Sequence, residues 1–276
     1  MSALLNALTK YGARLQCIYT DPQSALNWMF IPGGLGLGSE SLLGLTAILK
    51  GQIPGSLWLF DFPNDGSNIS PDHSIENWAA ALQEAVLSLE NTVIVAHSTG
   101  GMIVQSLSEL EPLLTGLVLL DSAPDTSWQL SFADYAAKNS SPEIQSAERA
   151  FASEPNDETL RELVLVTAHY SFNDNSLAAG LTLFRGLPIN YRATEWMAKN
   201  FDSSYVATWI PAQLPTLILG GNQDRIISLS VFTDKAEYHR ENITFKPISQ
   251  AGHYPWHDNP EEVLMSFKSY CGKLRV

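Results

Sequence analysis

TVIVAHSTGGMIVQSLSEL, residues 92–110, passes from a strand pattern to a helix pattern through a turn of small residues. Its first part is apolar and β-branched with no polar alternation, as in a central parallel strand covered on both faces. The last part, MIVQSLSEL, has helical spacing. Between them, Ala96 and Gly100 stand two residues before and two after Ser98. A turn this sharp needs small side chains there, because the central serine is forced into a strained backbone that lifts its hydroxyl above the sheet. Ser98 is therefore a candidate nucleophile, and the Thr99 N–H at the helix start is a candidate donor to an oxyanion. A turn selected only for packing would use the same small residues. His97 adjoins Ser98, but neighbouring side chains at a strand end point to opposite faces, so a packing or turn role is expected.

Outward from this stretch, short β-rich runs recur: RLQCIY (14–19), NWMFI (27–31), SLWLFD (56–61), GLVLLD (116–121), PTLILG (215–220) and NITFKPI (242–248). Helical patterns lie between them, as in residues 74–90, where Ile75, Trp78, Ala79, Leu82, Val86 and Leu89 fall on one stripe. Strand and helix in alternation predict an α/β fold with a mostly parallel central sheet flanked by helices. From residue 125 to 210 the rhythm turns helical, with ELVLV (162–166) as the strongest strand-like run. The expected organisation is a core of residues 1–124 and 211–276 with a helical cap, or lid, inserted at 125–210.

Two further loops follow strands. PTLILG leads into Gly221-Asn222-Gln223-Asp224, and the last strand leads into Ala251-Gly252-His253. Sites in open α/β sheets lie at the carboxyl ends of the strands, which places Asp224 and His253 on the Ser98 edge. The order Ser98, Asp224, His253 suits a nucleophile, an orienting acid and a general base. Asp121, which also ends a strand, is the competing acid; the following Ser122-Ala123-Pro124 suits a turn into the insertion. A metal site of His253, His257 and Asp258 is not expected, since Pro255 interrupts any helix and Asp258 or Asn259 suits a helix cap. Past NWMFI, the run Pro32-Gly33-Gly34-Leu35-Gly36-Leu37-Gly38 lets backbone approach a substrate oxygen; Gly34 N–H is the expected second oxyanion donor, with Leu35 as fallback. The run nearly matches a dinucleotide loop, but from Gly34 the sixth residue is Ser39.

The chain of 276 residues has the length of one α/β domain carrying an insertion. With 16 Lys and Arg against 29 Asp and Glu, its net charge of −13 would repel a phosphate backbone, so a nucleic-acid partner is not expected. Cys17 and Cys271 form no metal or disulfide framework. The start of the chain lacks a signal-peptide pattern, and no stretch approaches the roughly 18 apolar residues of a membrane helix, so the expectation is a cytoplasmic protein. No cofactor or metal is expected, and the oligomeric state is left open.

PGGLGLGS resembles the HGGPGLGS loop of the α/β-hydrolase superfamily, with Pro32 in place of His and Leu35 in place of Pro. LWLFDFPNDGSN resembles its D-x-P-G-x-G-x-S turn, and LPTLILGGNQDRI and AGHYPWHDNPEEV resemble its acid and histidine segments. Ala96 departs from the usual G-x-S-x-G by one methyl group. The similarity lies with the cap-bearing branch that contains proline iminopeptidases, small esterases and carbon–carbon bond hydrolases. It implies a cap that roofs the pocket, with Leu35, Trp128, Phe132, Trp196 and Tyr205 as candidate lining. It also implies a serine hydrolase of esterase type acting on a small-molecule acyl substrate. A proline-iminopeptidase-like aminopeptidase is the alternative, with Glu195 as candidate amine binder, although Thr99 stands where those enzymes usually carry Trp. A non-catalytic ligand-binding protein on the same fold is the third reading.

Overall fold

The computed structural model describes residues 6–34 and 36–275. Its strands are β1 (Asn6–Leu8), β2 (Arg14–Tyr19), β3 (Asn27–Ile31), β4 (Ser56–Asp61), β5 (Thr92–His97), β6 (Leu114–Leu120), β7 (Thr216–Gly221) and β8 (Ile243–Ile248). They form one eight-stranded sheet in the order β1-β2-β4-β3-β5-β6-β7-β8. β1 pairs with β2, and β2 with β4, in antiparallel fashion, and the other pairings are parallel. The strand-like runs thus occupy a largely parallel sheet, as their composition predicts.

Side-chain alternation sorts the central strands onto two faces. Met29, Ile31, Ile94, Ala96, Leu117, Leu119 and Ile218 belong to one core cluster. Phe30, Val93, Val95, Val118, Leu120, Leu217 and Leu219 belong to the other. Helices α1 (Leu43–Leu49), α2 (Trp78–Leu87) and α3 (Thr99–Gln105) follow the strands of the first half. Ala81, Leu82, Met102 and Ile103 of α2 and α3 cover the first face, while Leu45 and Leu49 of α1 cover the second. Both faces exclude water, which is why VIVA and LVLL carry no polar alternation; burying each such side chain is worth about 1.5–3 kcal/mol.

Between β6 and β7 the described residues are helical: α4 (Trp128–Lys138), α5 (Pro142–Ser153), α6 (Asp157–Val166), α7 (Ala168–Ser171), α8 (Leu177–Gly186) and α9 (Tyr191–Met197). The run ELVLV lies in α6, since Asn156 caps that helix with its side chain on the Glu158 and Thr159 N–H groups. Local capping overrides the β-branched composition of the run. After β7 come α10 (Ser230–Thr233), α11 (Pro255–Asp258) and α12 (Pro260–Cys271), the last capped by Asn259 on Glu262 N–H at 3.2 Å. Val263 and Phe267 of α12 join the second face. No helix of the described residues is long and apolar enough to cross a membrane.

The chain passes from β3 outward to β4, then returns to place β5 on the other side of β3. Such a reversal opens a crevice at the carboxyl ends of β3 and β5, where the loop 32–38 and Ser98 sit. That loop is tied at Gly36: its N–H donates to Asp65 Oδ1 at 2.6 Å, and its carbonyl accepts from Asn190 N–H at 2.9 Å. Asp65 is fully buried, and its Oδ2 has no partner. Asp61 and Glu40 face it, and the nearby Arg14 guanidinium is engaged by Asp61 at 2.7 Å.

Burial, reinforced by the Asp61 charge, pushes the Asp65 carboxyl up to about 7. The folded chain therefore holds this proton more tightly than the unfolded chain, whose aspartates titrate near roughly 4. The stability this group confers is complete below that value and is lost as pH rises toward 7, by on the order of 4 kcal/mol. Asp65→Asn keeps the acceptor for Gly36 and removes the ionisation. Its melting temperature should therefore gain on the wild type between pH 5 and pH 8, and a constant difference would show that Asp65 does not titrate there.

Candidate active site

Ser98 has φ 50° and ψ −124°, a conformation that costs a residue with a side chain about 1–3 kcal/mol. Neighbouring hydrogen bonds hold it: Ser98 N–H donates to Leu120 O at 2.8 Å, and Ser122 Oγ donates to Ser98 O at 2.8 Å. The small residues around it answer to contacts. A Cβ at Gly100 would stand 2.4 Å from Pro32 O, and one at Gly33 would stand 2.5 Å from Ser98 Cβ. Ala96 is fully buried in the core, where the extra methyl group is accommodated.

His253 Nδ1 lies 2.8 Å from Asp224 Oδ2, and His253 Nε2 lies 3.0 Å from Ser98 Oγ. An ionised carboxylate only accepts, so Nδ1 carries the proton and the Nε2 lone pair accepts from the serine hydroxyl. Asp224 Oδ1 accepts from Ile226 N–H at 2.8 Å and Ile227 N–H at 3.1 Å, which fixes the carboxylate plane. The His253 N–H donates to Ser171 O at 2.9 Å, and Tyr254 stacks on Phe172 with centroids 4.8 Å apart, so the inserted helices grip the histidine loop. Ser98 and His253 are both buried, under a tenth exposed. The three residues that the sequence places in separate strand-end loops meet in one hydrogen-bonded row.

His97 turns under this row. Its Nε2–H donates to the carbonyl of His253 at 2.9 Å, and its ring packs on His253 with centroids 4.8 Å apart. Burial holds it well below the usual histidine range, so it is neutral. Asp258 does not cap α12; its Oδ2 accepts from Gly252 N–H at 2.7 Å and its Oδ1 from Ser176 Oγ, stitching the histidine loop to the insertion.

A cavity of about 210 Å³ opens over the Ser98 hydroxyl. Gly33, Gly34 and Leu37 line one side, and Val164, Thr167, Ser171 and Phe184 of the inserted helices line another, with Ile226 and Tyr254. Gly34 has φ 55°, open to glycine without strain, and Thr99 begins α3, where its N–H has no acceptor within the helix. The aromatic residues expected as lining lie elsewhere. Tyr205 is buried in the core, its hydroxyl donating to Ala123 O at 3.1 Å and its ring stacked on Phe201. Trp196 faces a separate groove with His73 and Arg192, and Phe132 packs on Tyr170 and beside Trp128. Leu35 falls outside the described residues. The lining that composition missed, Val164, Thr167, Ser171 and Phe184, comes from the stretch α6 to α8; nothing in the spacing of these residues marks them apart from ordinary packing residues.

The model of the group described as "Alpha/beta hydrolase family" matches residues 29–265. No curated protein matches the chain. Among solved structures, a proline iminopeptidase-related protein from Thermus thermophilus superposes with a TM-score of 0.72 at 18% identity, covering 98% of each chain. A thermophilic esterase from Thermogutta terrifontis gives 0.68 at 17% identity over 100% of each chain. An esterase from a Rhodococcus species gives 0.72 at 14% identity, again over 100% of each. At these identities the structural likeness speaks for the fold, and the family match spans most of the sequence from β3 to α12: the chain belongs to the α/β-hydrolase family.

Proposed function

We propose that the protein is a serine hydrolase that cleaves small carboxylic esters through Ser98, His253 and Asp224. The observation that carries this reading is the unbroken row of hydrogen bonds from Asp224 through His253 to a serine hydroxyl that faces a cavity. In the proposed reaction His253 Nε2 takes the Ser98 proton as Oγ attacks the ester carbonyl. Asp224 holds the ring in its tautomer and stabilises the imidazolium, while the N–H groups of Gly34 and Thr99 receive the oxyanion. The imidazolium returns its proton to the departing alkoxide, leaving an acyl-serine. Water, deprotonated by the same imidazole, then attacks the acyl carbon and regenerates Ser98. The inserted helices at 125–210 act as the lid in this reading, since Val164, Thr167, Ser171 and Phe184 roof the cavity.

The ester reading is preferred over an aminopeptidase because a substrate ammonium needs an acidic partner. Among the described residues the cavity lining has no carboxylate, and Glu195 pairs with Lys199 at 3.1 Å. A cavity of about 210 Å³ is below the roughly 300–1,000 Å³ of sites for drug-sized ligands, which favours a short acyl group.

A fluorophosphonate should label the protein at one site, and Ser98→Ala should abolish both labelling and ester turnover, the latter by at least about 10⁴-fold, while leaving the melting temperature nearly unchanged. Labelling that survives Ser98→Ala would remove the assignment. Binding of an ester without release of product would instead support a ligand-binding protein. With p-nitrophenyl esters, kcat/KM should be higher for butyrate than for laurate and should exceed that for aminoacyl arylamides; the opposite ranking would favour the aminopeptidase.

A further inference from the structure

Asp121, immediately after β6, is not required by the relay just described, yet it stands against it. Its carboxyl, the Asp224 carboxyl and the His253 imidazole bring three polar atoms within 4.8 Å of one another. Asp121 is buried, and its backbone is held at φ 43°, in the region that disfavours side chains. Its own N–H donates to Leu219 O at 2.9 Å, and its Oδ1 accepts from Gly221 N–H at 2.8 Å. Oδ2 is buried and has no donor directed at it.

Two carboxylates in one water-poor site cannot both be ionised beside a single neutral imidazole, so one of them keeps a proton. The donors decide which. Asp224 receives three, from Ile226, Ile227 and His253, all of which favour the charged form. Asp121 receives one. The titratable groups that bear on Asp121 are Asp224 after β7, Asp258 and Tyr254 of the segment after β8, and His253; among these described groups none is a fixed cation. The nearby Arg225 guanidinium is engaged by the His169 and Phe172 carbonyls.

We propose that Asp121 is a neutral carboxylic acid at physiological pH and that its Oδ2 hydroxyl donates a hydrogen bond to the Asp224 carboxylate. Burial, and then the Asp224 charge, push the Asp121 carboxyl well above the usual carboxylate range, in keeping with that geometry. The proton satisfies the otherwise unpartnered Oδ2 and turns a repulsion between like charges into a bond. Asp121 is then a positioning residue. It adds a donor to Asp224 besides the Ile226 and Ile227 N–H groups and draws charge from it, which tempers the basicity passed to His253. Its catalytic consequence rests on the serine-hydrolase reading, whereas its protonation does not.

The test joins infrared spectroscopy to kinetics on the full chain. The difference spectrum of wild type minus Asp121→Asn at neutral pH, in which the other buried carboxyls such as Asp65 cancel, should show the carbonyl stretch of a buried protonated carboxylic acid, shifted by ¹³C-aspartate labelling. Asp121→Leu, which removes the donor, should lower kcat about tenfold with little change in KM, and Asp121→Asn, whose amide donates from the same place, should recover most of that loss. Absence of that band from the difference spectrum overturns the proposal. So does a loss in folded Asp121→Asn as large as that in Asp224→Asn, since Asp121 would then be working as a carboxylate. Should the wild type have no esterase activity and Ser98 remain unlabelled, the infrared result still decides the state of Asp121, and the two readings fail separately.

Discussion

A carbonyl sets the tolerance on which the serine turn depends: Pro32 O lies where a side chain at residue 100 would begin, 2.4 Å from the place of a Cβ. Because α3 starts so near the end of β3, the chain between β5 and α3 must reverse within a few residues, and the residue at the apex, Ser98, is driven to φ 50°. The same approach brings Gly33 against Ser98 Cβ, so the glycine loop and the serine turn define each other. The strain at Ser98 is offset by the hydrogen bonds to Leu120 and Ser122 and by the fully buried strand beneath it. The outcome is a hydroxyl lifted off the sheet edge, facing the histidine loop across the crevice that the reversal of strand order opens.

Around that crevice, carboxylates fasten backbone. Asp61 Oδ1 accepts from Ser39 N–H at 2.7 Å, Asp65 Oδ1 from Gly36 N–H at 2.6 Å, Asp121 Oδ1 from Gly221 N–H at 2.8 Å, and Asp258 Oδ2 from Gly252 N–H at 2.7 Å. Each donor stands in, or at the border of, a loop that shapes the site. A loop near a pocket has unpaired N–H groups that a partner strand cannot satisfy, and an acidic side chain reaching across is the shortest remedy. The accompanying cost is burial of charge, and it is met in two ways. Asp61 takes Arg14 as a partner, and burial pushes Asp61, Asp65 and Asp121 alike toward the neutral form. The acidic balance of the chain, −13 overall, therefore has a counterpart near the site that is partly protonated.

Local pattern determined a good deal. Buried β-branched runs marked β2 to β8 to within a residue or two, because a strand covered on both faces tolerates no polar alternation, while the short edge strand β1 carried no such run. The small residues around Ser98 announced the turn, and Asp224 and His253 were legible because parallel strands deliver their loops to one edge. What depended on tertiary packing was everything carried by contacts between distant segments. The cavity lining comes from α6, α7 and α8, whose inner and outer faces look alike in composition, so Trp128, Phe132, Trp196 and Tyr205 drew notice while Val164, Thr167 and Phe184 did not. ELVLV had the composition of a strand and became helix α6 through the Asn156 cap. Asp121 and Asp224 are far apart in sequence and could be read as rivals for one role; adjacency of β6 and β7 places them side by side. The difference has a physical cause: periodicity and small-residue spacing report whether one element is buried, whereas the identity of what it is buried against is set by the order of strands and the angle of helices, which no single segment encodes.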